Sequence, residues 1–227
     1  MAARLSVVIP ALDEADNLAR LLPELLGAAH LVERVIVSDG GSRDGSAALA
    51  RRLGALVIEG ASGRGAQLGR GVAAAGPGWL WLLHADTILQ PDWAAALAAC
   101  LGTADPGRAY YARLRFASPR RRARCAEAMV RARCALFALP YGDQSLLVRG
   151  ALLEAVGGVP ALALMEDVAL ARRLGRRRLA AMKLVVTTDA AAYERDGWLR
   201  RSAGNLWRLA RFLAGGDAGR MAGGYRR

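Results

Sequence analysis

The sequence predicts an α/β protein: a mostly parallel central sheet with helices packed on both faces. Three observations predict it. Short β-rich runs alternate with helical patterns through the first hundred residues, the signature of strand–helix–strand units. The runs are apolar throughout instead of alternating, as strands covered on both faces are. Gly-, Asp- and Ser-rich turns punctuate them.

LSVVI (5–9) is the first strand and ends at Pro10. Leu18, Leu21, Leu22, Leu25 and Leu26 then fall at helical spacing, with Asp13 placed to cap that helix. RVIVS (34–38) is the second strand, followed by the turn DGGSRDGS and a helix carrying Leu49 and Leu53. ALVIE (55–59) is the third, followed by the loop GASGRG and a helix through Leu68 and Val72. WLWLL (79–83) is the fourth, and PDWAAALAACL (91–101) starts a helix with proline at its first turn. This repetition implies parallel strands joined by right-handed crossovers. Beyond it, RAYYARLRF (108–116) reads as a strand and the Arg-rich segment 119–138 as a basic-faced helix. GDQSLLVR (142–149) reads as a loop then a strand, ALMEDVALARRLG (163–175) as a helix, and KLVVTT (183–188) as a late strand. Residues 198–214 make a broad amphipathic helix, and 215–227 a flexible tail.

A chain of 227 residues is expected to form one domain and buries enough surface to fold without a disulfide or structural metal. Apolar residues at 54% and charged ones at 23% exclude a disordered chain. The three cysteines form no C-x-x-C and no disulfide framework, which fits a reducing, cytoplasmic setting. Two histidines are too few for a zinc site of several His and Cys ligands. No secretory leader is expected, because MAARLSVVIP runs directly into a strand. No run approaches the roughly 18–20 apolar residues that span a bilayer. Charge is unevenly placed: residues 1–105 hold 8 Arg and 11 acids, while 106–227 hold 24 bases and 9 acids. A partner that wants positive charge therefore meets the second half. Nucleic acid is not the expected partner, since no stacking platform of aromatics accompanies the arginines. The basic helices 119–138 and 198–214 instead allow peripheral contact with an anionic membrane at its inner face, as a membrane-surface protein acting on a lipid-linked acceptor would make; the alternative for 198–214 is packing on the main sheet.

Ligands of such sheets bind outside the carboxyl ends of the strands. That rule selects four loops, 10–14, 39–44, 60–65 and 84–87, all rich in Asp, Gly or Arg. Asp39 can accept hydrogen bonds from a ribose or a base N–H, or simply close its own turn. Asp86 is a hard oxygen ligand suited to Mg²⁺ or Mn²⁺ bridging a diphosphate, or else a helix cap. Arg64, between Gly63 and Gly65 at a helix start, suits a phosphate. Glu166 and Asp167 open a helix, where one carboxylate facing the cleft can take a proton from a hydroxyl. The first turn, PALDEADN, lacks G-x-G-x-x-G, and neither Gly-rich loop carries G-K-[ST], which disfavours a dinucleotide dehydrogenase and a P-loop NTPase.

In combination, VVIPALDEADNL, VIVSDGGSRDGS, His84-Ala85-Asp86 and MEDVALARRL resemble glycosyltransferase family 2, whose members have the GT-A fold. GRGAQLGRG, LLHADT and YGDQSLLVRG are similar to a short bacterial subgroup associated with arsenosugar biosynthesis. The resemblance implies a nucleotide-sugar-binding half (1–105), an acceptor and catalytic half (106–197) and the 198–214 helix, all within one GT-A domain. It implies nucleotide contacts at Pro10, Leu12, Glu14, Val37, Asp39 and Arg64. It places the family's D-x-D motif on His84, Ala85 and Asp86, with Asp86 as metal ligand, Glu166 beside the donor and Asp167 as catalytic base. The implied activity is inverting transfer of a sugar from a nucleotide-diphosphate donor, UDP-linked by family habit, to an acceptor hydroxyl, with Mn²⁺ or Mg²⁺ as cofactor. His84 stands where the family has the first Asp of D-x-D, which leaves that side chain's partner, metal or ribose, open.

Overall fold

The computed structural model describes residues 4–216; the tail expected at 215–227 lies almost wholly outside them. The strands are β1 (Leu5–Ala11), β2 (Val32–Asp39), β3 (Leu56–Glu59), β4 (Trp79–Leu82), β5 (Ile88–Leu89), β6 (Ala109–Phe116), β7 (Leu146–Arg149) and β8 (Leu179–Thr188). The helices are α1 (Ala15–Gly27), α2 (Ser46–Leu53), α3 (Arg64–Ala75), α4 (Trp93–Thr103), α5 (Arg121–Phe137), α6 (Gly150–Ala155), α7 (Glu166–Leu174), α8 (Ala191–Asp196) and α9 (Trp198–Leu213).

One sheet runs β3-β2-β1-β4-β7-β6-β8-β5. β3, β2, β1 and β4 are mutually parallel, β7 is antiparallel to both β4 and β6, and β8 is parallel to β6. The carboxyl ends of β1, β4, β6 and β8 therefore lie along one edge. β1 pairs with β2 on one side and β4 on the other, so the chain order reverses there and the edge above β1 and β4 is the switch point.

The unbroken apolar runs are explained by two cores. Val7, Ile9, Val35, Val37, Trp79 and Trp81 face α1, α2 and α4, while Val8, Ile36, Leu80 and Leu82 face α3, α6 and α7. Adjacent residues of β1 thus serve opposite faces, the period of two that a pleated strand imposes. Trp81 anchors the first core, stacked on Trp93 with ring centroids 5.6 Å apart and donating from Nε1 to Ser145 Oγ at 3.0 Å. α3 lies unusually close to the sheet: a Cβ on Gly71 would sit 2.4 Å from Val8 Cγ1.

Three details differ from the sequence expectation. Asp13 does not cap α1; its φ of +56° turns it away, and it accepts instead from Arg43 N at 2.7 Å. The cap comes from the neighbouring loop, where Asp44 Oδ2 accepts from Ala15 N and Ser46 Oγ from Glu14 N, both at 2.8 Å. β8 begins at Leu179, not at 183. β5, α6 and α8, none longer than six residues, went unpredicted because so few residues carry no periodicity.

Candidate active site

The edge above β1, β4, β6 and β8 holds a cleft of about 520 Å³. One wall comes from the loop after β1 (Pro10, Leu12, Glu14), the start of α3 (Arg64, Gln67) and the segment after β4 (His84, Ala85, Asp86). The rest of the lining comes from Phe116, Thr188, Tyr193 and the α9 residues Arg201, Asn205 and Arg208. Asp143 and Asp167 lie on its lining as well.

The sequence folds locally to hold these groups still. Gln67, 4% exposed, donates from Nε2 to Ala11 O (2.7 Å) and Ser38 O (3.1 Å), tying α3 to the ends of β1 and β2. A Cβ on Gly65 would sit 2.1 Å from Pro160 O, so only glycine lets the start of α3 meet the 160–162 segment. Gly142 lies against two side chains, the His84 ring and Asp167; its Cβ would be 2.5 Å from His84 Nε2, so a side chain there would displace the ring.

Asp167 is fixed by two backbone donors: Gly142 N to Oδ2 and Val168 N to Oδ1, each 2.7 Å. Each oxygen keeps a lone pair for a further donor. Asp86 projects into the cleft with its side chain 40% exposed; Oδ2 accepts from the Thr188 hydroxyl at 3.2 Å, and Oδ1 lies 3.9 Å from His84 Nδ1. Arg64 Nη1 is 3.3 Å from His84 Nε2. A guanidinium only donates, so Nε2 accepts and the proton of the neutral ring sits on Nδ1. Burial, then the Arg64 charge, holds the imidazole neutral, its pKa down to about 4. In this arrangement Nε2 of His84 is taken by Arg64 and Nδ1 carries the proton.

Glu166 is 1% exposed, with Oε1 3.1 Å from Arg64 Nε at an angle that forms no hydrogen bond. It does not reach the cleft. It lines a small apolar cavity behind, with Leu68, Leu82 and Leu170. Its pKa rises from 4.5 to about 7 through burial first and the neighbouring Asp167 second, with Arg64 opposing. A raised carboxyl pKa stabilises the fold below the unfolded value and loses that contribution as pH climbs through the folded one. Glu166→Gln should therefore gain stability on the parent by about 3 kcal/mol between pH 4.5 and 8. Urea unfolding of both across that range checks this; parallel curves would refute it. Comparing variant with parent is essential, since the lowered His84 pKa acts with the opposite sign between pH 4 and 6.5.

Two more expected residues lie off the cleft. The Val37 side chain is in the core between β2 and α1. Asp39 is 2% exposed and closes its own turn, accepting from Gly41 N (2.8 Å), Ser42 N (2.9 Å) and the Ser42 hydroxyl (2.5 Å). Pro10, Leu12, Glu14, Arg64, His84, Ala85, Asp86 and Asp167 do converge. Glu14 is half-buried, and burial raises its pKa, with Asn17 opposing and Asp86 adding to the rise.

Sequence reasoning missed Asp143, Gln67 and the α9 trio. Asp143 Oδ1 is buried without a hydrogen bond. Burial takes its pKa to about 6, opposed by Arg133 and reinforced by Asp167 and Asp86. Arg201, Asn205 and Arg208 stand at i, i+4 and i+7, one stripe of a helix. That spacing was the available signal.

A sheet of this order gathers its polar groups at the switch-point edge, where α/β folds commonly take their ligands. The chain belongs to glycosyl transferase family 2, whose model matches residues 6–156; it is a glycosyltransferase. Among solved structures, it is similar to glucosyl-3-phosphoglycerate synthase from Mycobacterium tuberculosis in complex with Mn²⁺, UDP and glucosyl-3-phosphoglycerate. That match has 23% identity and a TM-score of 0.59 over 81% of this chain and 70% of that one. A mycobacterial protein matches at 26% identity and TM-score 0.61, covering 82% of this chain and 67% of its own. Mannosyl-3-phosphoglycerate synthase from Rubrobacter xylanophilus matches at 17% and 0.61, covering 92% and 75%. These likenesses show the fold, the GT-A type. No curated protein sequence matches the chain.

Proposed function

We propose that the protein transfers a sugar, with inversion, from a nucleotide-diphosphate donor to an acceptor hydroxyl. The observation that supports this reading is Asp167: a backbone-clamped carboxylate on the lining of a cleft that Asp86, Arg64 and the α9 residues also line. The nucleotide lies against Pro10, Leu12 and Glu14, with Val37 and Asp39 supporting that loop from beneath. Arg64, oriented by Glu166 and His84, faces the diphosphate. The acceptor approaches from the α9 wall.

In the transfer step the acceptor oxygen forms a bond to the anomeric carbon as the bond to the diphosphate oxygen breaks on the opposite face. Asp167 takes the hydroxyl proton, and the nucleoside diphosphate leaves with the electron pair. Arg64 offsets the charge that develops on it.

The cleft fits a divalent cation. Asp86 offers a hard, partly exposed carboxylate, and its charge acts on Glu14 and Asp143 nearby, a repulsion that a cation relieves. Among the described residues no group of three or more His, Cys, Asp or Glu could hold an ion by itself, so diphosphate oxygens and water would complete its shell, the usual mode for Mg²⁺. When bound at Asp86, Mn²⁺ or Mg²⁺ supplies further neutralisation of the leaving diphosphate. The related synthase is described in complex with Mn²⁺ and UDP-glucose, which supports UDP as the carrier. GRGAQLGRG, LLHADT and YGDQSLLVRG support a place in the short subgroup associated with arsenosugar biosynthesis.

The test is release of nucleoside diphosphate from a panel of UDP- and GDP-sugars with Mn²⁺ or Mg²⁺, where slow hydrolysis reports donor activation even without the acceptor. Metal-dependent release from one donor class is expected. No release from any donor, with or without candidate hydroxyl acceptors, overturns the reading.

A further inference from the structure

α9 has two faces. Inward, Trp198 and Leu209 are buried, and Trp198 packs edge-on against Phe116 with ring centroids 5.2 Å apart. Outward, Leu199 is 81% exposed, Leu206 65% and Trp207 60%, and Leu213 is also exposed. With exposed Ala203 and Ala210, these positions repeat at i, i+4, i+7, i+8, i+11 and i+14, a continuous apolar stripe on the solvent side. The sequence predicts one broad amphipathic helix over 198–214; the structure divides its apolar residues between two faces.

α5, which packs against α9, does the same. Met129, Leu136 and Phe137 are each more than half exposed. Arginines border both stripes: Arg121, Arg122 and Arg131 on α5, Arg200 and Arg211 on α9, all exposed. α9 contains no acid, and the single acid of α5, Glu127, is buried and paired with Arg124 at 3.0 Å. The outer surfaces of the two helices therefore carry no exposed carboxylate.

We infer that the outer faces of α5 and α9 form a docking surface for an anionic lipid bilayer. Large aliphatic and aromatic side chains bordered by arginine are the composition of a helix lying in the headgroup region, with Trp207 at the interface and guanidiniums on the phosphates. A second copy of the chain is disfavoured as the occupant, because self-pairing sets arginine against arginine. No helix among the described residues is long and apolar enough to cross a membrane, so the contact is peripheral. The inference rests on the outer faces alone and stands or falls independently of the transfer chemistry.

The test is co-sedimentation of the full chain with vesicles of phosphatidylcholine alone or mixed with phosphatidylglycerol, at low and high salt. Binding to the anionic vesicles is expected, with a blue shift of tryptophan emission that Trp207→Phe removes. Leu206→Ser/Trp207→Ser alters only exposed positions and should cut partitioning by about 10-fold or more. No sedimentation with anionic vesicles at low salt overturns the inference. So does equal binding to neutral vesicles, or binding that the double variant leaves unchanged. A dimer in solution that the same double variant dissociates also overturns it and assigns the surface to self-association.

Discussion

Asp167→Asn is expected to lower kcat by about 10²–10⁴-fold, some 3–5 kcal/mol of barrier, while leaving nucleotide affinity unchanged. The two effects separate because Asp167 serves the acceptor proton and not the donor. The substitution is conservative in shape: the amide oxygen can still accept from Gly142 N, which lies 2.7 Å from Oδ2 in the parent, and the amide nitrogen gives up only the bond from Val168 N. What the amide cannot do is accept a proton from the attacking hydroxyl. Steady-state turnover with a competent donor, alongside calorimetric nucleotide binding, makes the comparison. Near-normal turnover in this variant would remove Asp167 from the role of base and leave Asp143, the other cleft carboxylate beside it, to be tested next.

Asp86→Ala is expected to act on the other half of the reaction. Its carboxylate is partly exposed and, among the described residues, its hydrogen bond comes from Thr188 alone, so its removal disturbs little packing. A ligand at about 100 times its dissociation constant adds about 2.7 kcal/mol to the folded state, roughly 5–10 °C in Tm for a chain of this size. The share of that shift which depends on Mn²⁺ or Mg²⁺ should vanish in Asp86→Ala. His84→Ala should spare more of it, because the structure gives the imidazole to Arg64.

The parallel half of the fold was legible because hydrophobicity writes it directly. Val7, Val8 and Ile9 are apolar in succession because neighbours serve opposite cores, and Leu18 to Leu25 keep helical spacing because one face of α1 is buried. The convergence of four loops on one edge followed from the direction of those strands. What could not be read was contact between distant segments. Asp44 caps α1 from 29 residues away, so nearby Asp13 looked like the cap. Gln67 joins two strand ends through carbonyls that no pattern marks. Glu166 and Asp167 are neighbours in sequence with opposite fates, one buried behind the cleft and one inside it, because successive helical residues point about 100° apart. Arg201 and Arg208 read as part of a basic helix surface, although with Asn205 they line the cleft and the exposed stripe belongs to Leu199, Leu206 and Trp207.

The proposed activity requires that this cleft bind a nucleoside diphosphate through a cation held at Asp86. Titration calorimetry of UDP and GDP into the full chain, with and without Mn²⁺, and into Asp86→Ala, tests it most directly. Binding of one nucleotide that Mn²⁺ strengthens in the parent and does not strengthen in the variant is expected. Binding that ignores Mn²⁺, or that Asp86→Ala leaves intact in its presence, would contradict it.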